Sequence, residues 1–157
     1  MPLRHALPIA GAAPVTDPLA ALRALASRPY PFLLHSALEG ARARWSFFGA
    51  EPFAIHRGGD HARAIGGFRT LAERARVTDA LASLVPFTGG AVGYWAYDFG
   101  RRLERLRLPG HGRGAADDLG LPDFVLSFYD VVGAYDHGTR EAWLFSSGLP
   151  LEGERRA

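Results

Sequence analysis

The sequence predicts an α+β fold, mainly antiparallel sheet with a few short helices, and three observations carry that prediction. Short apolar or alternating runs outnumber helical patterns, turn chemistry of the hairpin kind joins consecutive runs, and no strand alternates with a long helix. The chain has 157 residues, a length at which a domain buries roughly two-thirds of its unfolded surface, so residues 1–157 read as one domain or one lobe of a larger one.

Asp17-Pro18 followed by Leu19, Leu22 and Leu25 supplies an N-cap, a first-turn proline and an apolar stripe, predicting a helix to about Ser27. Pro29 and Pro31 prevent its continuation. Phe32 to Ser36 is too brief for a helix and reads as a buried strand. Arg44 to Phe48 and Phe53 to Arg57 alternate, with Phe53 and Ile55 expected on one face, and Gly58-Gly59-Asp60 reads as a hairpin turn into a strand from His61 to Ile65. Phe68 to Val77 fits no single pattern. Thr78-Asp79 then starts a short helix ending at Pro86.

Gly90 to Tyr97 is glycine-spaced and aromatic, as suits a strand lying close against another backbone. Arg101 to Pro122 is irregular and long for an ordinary connection. The clearest hairpin follows: Phe124 to Tyr135 as one arm, Asp136-His137-Gly138-Thr139 as the turn, and Glu141 to Ser146 as the return. Phe124 to Val132 is nearly apolar on both faces, so that arm needs cover on both sides.

Composition narrows the chemistry. There is no cysteine, which removes disulfides, thiolate metal sites and thiol nucleophiles. All 18 basic residues are arginine, spread among 16 carboxylates for a net charge of +2, without the long basic stripe of a nucleic-acid surface. No run approaches the roughly 20 apolar residues that span a bilayer, and the first ten residues lack a signal-peptide core, so a cytoplasmic protein with no membrane or nucleic-acid partner is expected. Nucleophile elbows, Gly-Lys phosphate loops and His-Glu-x-x-His helices are missing. His56 and His61 flank the Gly58-Gly59 turn, but two histidines without a third ligand read as surface side chains.

Four ordered segments carry a resemblance to a known family. They are Leu33-Leu34-His35-Ser36 with Arg44-Trp45-Ser46-Phe47-Phe48-Gly49 and Glu51-Pro52; Pro86-Phe87-Thr88-Gly89-Gly90-Ala91-Val92-Gly93-Tyr94-Trp95-Ala96-Tyr97-Asp98; Gly100-Arg101-Arg102-Leu103-Glu104; and Asp117-Asp118 with Leu121-Pro122-Asp123, leading through Phe128-Tyr129-Asp130 to Asp136-His137. Together they resemble the N-terminal, non-catalytic region of component I of aminodeoxychorismate synthase and of its relative anthranilate synthase, the chorismate-utilising enzymes. Most of these residues also meet plain folding needs, glycines for close backbone approach and aromatics for sheet faces.

The resemblance implies half of an interlocked double sheet, acting as scaffold for a synthase that replaces the 4-hydroxyl of chorismate with an amino group in p-aminobenzoate and folate synthesis. It implies two partners, a C-terminal chorismate-binding domain and a glutamine amidotransferase that supplies ammonia. Magnesium belongs to that C-terminal domain, so no catalytic residue, metal or cofactor is expected here. Arginine stays protonated and cannot serve in place of a catalytic lysine, so the chain is expected to be inactive alone. The resemblance further implies a tryptophan-like effector site at Leu34, Ser36, Arg44, Trp45 and Ser46, where an arginine and two hydroxyls could receive an amino-acid carboxylate; an ordinary polar sheet edge is the other reading of the same residues. His35 stands where tryptophan-inhibited relatives carry an acidic residue, which favours the folate branch over anthranilate synthase. A stand-alone tryptophan-binding module is a further alternative.

Overall fold

The computed structural model describes residues 5–8, 17–38, 40, 43–58, 61–74, 85–97, 99–100 and 119–146. Strand β1 is His5–Pro8, helix α1 Pro18–Leu25, β2 Phe32–Leu34, β3 Trp45–Gly49, β4 Ala54–Arg57, helix α2 His61–Arg74, β5 Gly90–Trp95, β6 Phe124–Tyr129, β7 Val131–Asp136 and β8 Glu141–Ser146. The strands form a five-stranded sheet in the order β1-β8-β7-β3-β2 and a three-stranded sheet in the order β4-β6-β5. Every pairing is antiparallel, as the turn-rich, helix-poor pattern predicts.

One bent ribbon joins the two sheets. β3 pairs with β7 in the larger sheet, and their continuations β4 and β6 pair in the smaller. The pairing runs Phe48 to Gly133 on one side of the corner and Ala54 to Phe128 on the other, a shift of one residue. The extra residue is taken up as a bulge near Glu51, whose φ is +56°, and such a bulge bends the strand that carries it. The Phe53 amide donates to the Phe128 carbonyl at 2.8 Å and holds the far side of the corner.

The expected single arm from Phe124 to Tyr135 is therefore two strands, broken at Asp130 and assigned to different sheets. The break answers the need for cover on both faces. Past the corner each half turns its faces to different neighbours: Phe124, Leu126 and Phe128 pack with Phe53 and Phe99, whereas Tyr129 and Val132 pack with Phe32. The β7–β8 hairpin forms as expected, in register from Asp136–Glu141 to Val131–Ser146.

α1 also forms as expected. Asp17 caps it, accepting from the Leu19 amide at 2.9 Å, with Pro18 in its first turn; such a cap contributes about 1 kcal/mol. The segment from His61 departs from expectation, forming helix α2 and not a hairpin strand. Ile65 and Phe68 stand three apart, which is helical spacing, but Gly66-Gly67 between them resembles a breaker. Gly67 serves closeness instead, since a Cβ there would sit 3.1 Å from the His56 ring. α2 thus lies against the His56 side of β4, so the half-buried residues of that strand are Ala54 and His56, and Ile55 is exposed while Phe53, just before the strand, is buried. The helix expected from Thr78, the residues 101–118 of the irregular segment and Asp98 lie outside the described residues.

Candidate functional site

The two faces of β3 have opposite chemistry. Trp45 and Phe47 face the apolar cluster of Val85, Ala134 and Phe145. Ser46, on the other face, is fully buried, and a buried hydroxyl is stable only where it is hydrogen-bonded. Its Oγ accepts from the Ser36 amide at 3.1 Å and lies 3.0 Å from His35 Nδ1 and 2.7 Å from His137 Nε2. The two rings stand 5.7 Å apart. Ser36 Oγ donates to the Trp45 carbonyl at 2.6 Å, fixing the segment that leaves β2 against the start of β3.

The β7–β8 turn is built into the same corner. Asp136, buried, accepts from Arg44 Nε at 2.9 Å and Nη2 at 2.7 Å on one oxygen, and from the Gly138 amide at 2.8 Å on the other. The Arg140 amide closes the turn on the Asp136 carbonyl at 2.7 Å, with Arg140 at φ +60°, and the His137 amide donates to the Arg44 carbonyl at 2.8 Å. Hydrogen bonding to Arg44 holds the Asp136 carboxyl below the ordinary 3.8, against the opposing effect of burial, and the same contact raises the Arg44 guanidinium. The guanidinium also sits 4.9 Å from the Trp45 ring centroid, within cation–π range.

These residues border an open cavity of about 600 Å³ whose lining includes His35, Ser36, Leu38, Arg44, His137 and Arg140. Of the five expected site residues, Ser36 and Arg44 line it and Ser46 lies buried beneath two of its lining rings. Trp45 lines a separate cavity of about 200 Å³ on the opposite face, with Val85 and Trp143. Leu34 pairs in register with Phe47 and so shares the Trp45 face, and it borders neither cavity. The expectation did not include His35 and His137 as site residues, nor Asp136 and Arg140. Their signal lay in the turn motif Asp136-His137, which pairs Asx-turn chemistry with a titratable ring, but nothing local ties it to Ser46, 91 residues earlier.

Among the described residues no three His, Cys, Asp or Glu side chains come together to hold a metal ion. No described helix is long and apolar enough to cross a membrane. The fold and this corner define a class: a two-sheet α+β fold with a polar, arginine- and histidine-lined pocket.

Comparison with known proteins makes the class particular. No family model matches the chain. It is 42% identical to anthranilate synthase component 1 of Mycolicibacterium smegmatis, over 87% of this chain and 28% of that protein. It is 35% identical to the Thermus thermophilus protein of the same name, over 92% of this chain and 32% of the relative, and 34% identical to aminodeoxychorismate synthase component 1 of Klebsiella aerogenes, over 80% and 30%. The chain is similar to the N-terminal part of these component 1 proteins. It spans about a third or less of the length of each.

Proposed function

We propose that this chain is the non-catalytic scaffold portion of a cytoplasmic chorismate-converting synthase of the component 1 type, carrying a small-molecule effector pocket at the Ser46 corner. The observation that carries the reading is the match itself, which takes in most of this chain and under a third of each of the relatives at 40% identity or more. The lysine-free sequence agrees with it, because arginine does not supply a base or nucleophile in the way a buried lysine does. The partners in this reading are a C-terminal chorismate-binding domain with its magnesium and a glutamine amidotransferase delivering ammonia.

Two products compete within this reading. His35, bonded to Ser46 where an acidic residue is usual in tryptophan-inhibited relatives, favours 4-amino-4-deoxychorismate. The higher identity to the anthranilate synthase proteins than to the aminodeoxychorismate synthase proteins favours anthranilate, and it weighs more because it rests on most of the chain and not on one position. The test is to incubate the chain with chorismate, ammonium and magnesium and follow both products chromatographically. Neither should form; clear turnover by this chain alone would overturn the scaffold reading.

A further inference from the structure

We propose that the apolar cavity between α1 and the five-stranded sheet is a ligand site, and that its ligand is a small organic cation, an apolar body carrying one ammonium group. The described lining of this cavity shares no residue with that of the pocket at the Ser46 corner, and the proposal does not depend on what that pocket holds.

Small residues on two elements open the cavity. Phe48, Gly133 and Leu144 lie directly opposite one another on β3, β7 and β8, so they share one face of the sheet. Gly133 leaves the middle of that row without a side chain, and the Phe48 ring leans over it, so close that a Cβ there would lie 2.1 Å away. α1 packs over β3, and its Ala21, Ala24 and Leu25 all border the hollow, as residues three and four apart on a helix can. Two alanines stand there where longer side chains would close the gap. The result is a cavity of about 350 Å³, within the size range of small-molecule sites, and Leu144 on its border is exposed.

The charge on the rim selects the ligand. Glu51 borders the cavity with its side chain about half exposed. Its amide donates to the Pro29 carbonyl at 2.8 Å and its φ is +56°, so the backbone that carries the carboxylate is held in place. Arg28 pairs with it at 3.3 Å, also about half exposed, an ion pair of the kind worth little in water. The carboxyl group of buried Asp130 borders the same cavity, and the described lining includes no basic side chain. A neutral apolar guest would take water from Glu51 without replacing it, which is unfavourable, and an anion would meet a like charge. An ammonium group instead gives the carboxylate a charge-assisted hydrogen bond while the apolar body covers Phe48 and Leu144.

The experiment is calorimetric titration of the full 157-residue chain at neutral pH with 2-phenylethylamine, protonated there, and with its neutral counterpart 2-phenylethanol. The amine is expected to bind saturably and the alcohol about tenfold more weakly, the difference that one charge-assisted hydrogen bond makes. Ala24 is exposed on its helix, so Ala24→Leu fills the cavity from its edge and should abolish amine binding without altering the circular dichroism spectrum. Glu51→Gln should weaken the amine about tenfold and leave the alcohol unchanged. Arg28→Gln releases the Glu51 carboxylate and should strengthen the amine about two- to fivefold, the worth of an exposed ion pair, a gain that damage to the fold would not produce. Amine binding that Ala24→Leu leaves unchanged places the ligand elsewhere and overturns the proposal. An alcohol that binds as well as the amine, or no saturable amine binding at all, overturns it too, and the turnover test of the scaffold reading is untouched by any of these results.

Discussion

The two sheets share a ribbon but are finished differently. In the five-stranded sheet the central strand β7 is covered on both faces, and the polar side chains that enter it, Ser46 and Asp136, are buried with their hydrogen bonds made inside the chain. In the three-stranded sheet β6 is buried, but edge strand β5 leaves Tyr94 and Trp95 about two-fifths exposed, and Tyr97 just beyond it is 95% exposed. A sheet edge that exposes aromatics favours association with another surface. The contrast agrees with the scaffold role proposed above, in which this chain matches only 28% of the Mycolicibacterium smegmatis relative.

The largest effect that would sharpen this contrast comes from backbone contact. A Cβ at Gly93 would lie 1.8 Å from the Val125 carbonyl oxygen, and a Cβ at Gly133 would lie 2.1 Å from the Phe48 ring. Backbone in a paired strand cannot yield without loss of the ladder, whereas a ring can rotate or shift at an overpacking cost of about 1–3 kcal/mol. Gly93→Val is expected to cost about 4 kcal/mol or more and to remove β5 from the sheet, while Gly133→Ala stays in the lower range. Urea unfolding followed by circular dichroism measures both. Equal losses would mean that the smaller sheet is no more dependent on close backbone approach than the larger.

The aromatic edge gives the next effect, read as association and not as stability. The chain alone should self-associate through β5, and the double variant Trp95→Thr, Tyr97→Ser should shift it toward monomer in sizing experiments. Its melting temperature should change little, because exposed substitutions usually fall within about 0.5 kcal/mol. An oligomer that persists unchanged would place the sticky surface elsewhere and remove the distinction between the two sheets.

What the sequence revealed follows the same division between local and distant. α1 was legible because its cap, proline and apolar stripe lie within nine residues of one another, and the β7–β8 hairpin because its turn is chemically marked. The break at Asp130 was not, since an apolar run looks the same whether it serves one sheet or two. α2 was hidden by Gly66-Gly67, whose use is the approach to His56, a tertiary demand. At the site, Ser36, Arg44 and Ser46 stood out as polar residues around an aromatic strand, but the separation of Trp45 from Ser46 follows from strand alternation once the strand is placed. The histidine pair comes from positions 35 and 137, joined only by the fold.

The smallest effect tests how firmly the Ser46 corner is tied to the turn. Asp136 has its carboxyl held below the ordinary 3.8, by hydrogen bonding to Arg44 foremost. A carboxylate depressed in the folded state lends stability above its unfolded value and loses it as pH falls through the folded one. The gap in melting temperature between the native chain and Asp136→Asn should therefore be constant from pH 7 down to roughly 4 and should close below that. Arg44 keeps more than half of its side chain in water, so screening limits the worth of the ion pair itself, and the gap should be small. Asp136→Ala, which also removes the acceptor for the Gly138 amide, should add a loss that does not vary with pH. If the Asn gap were insensitive to acid, the charge of Asp136 would not be what fastens the turn to Arg44, and the hydrogen bond to Gly138 alone would hold His137 beside Ser46.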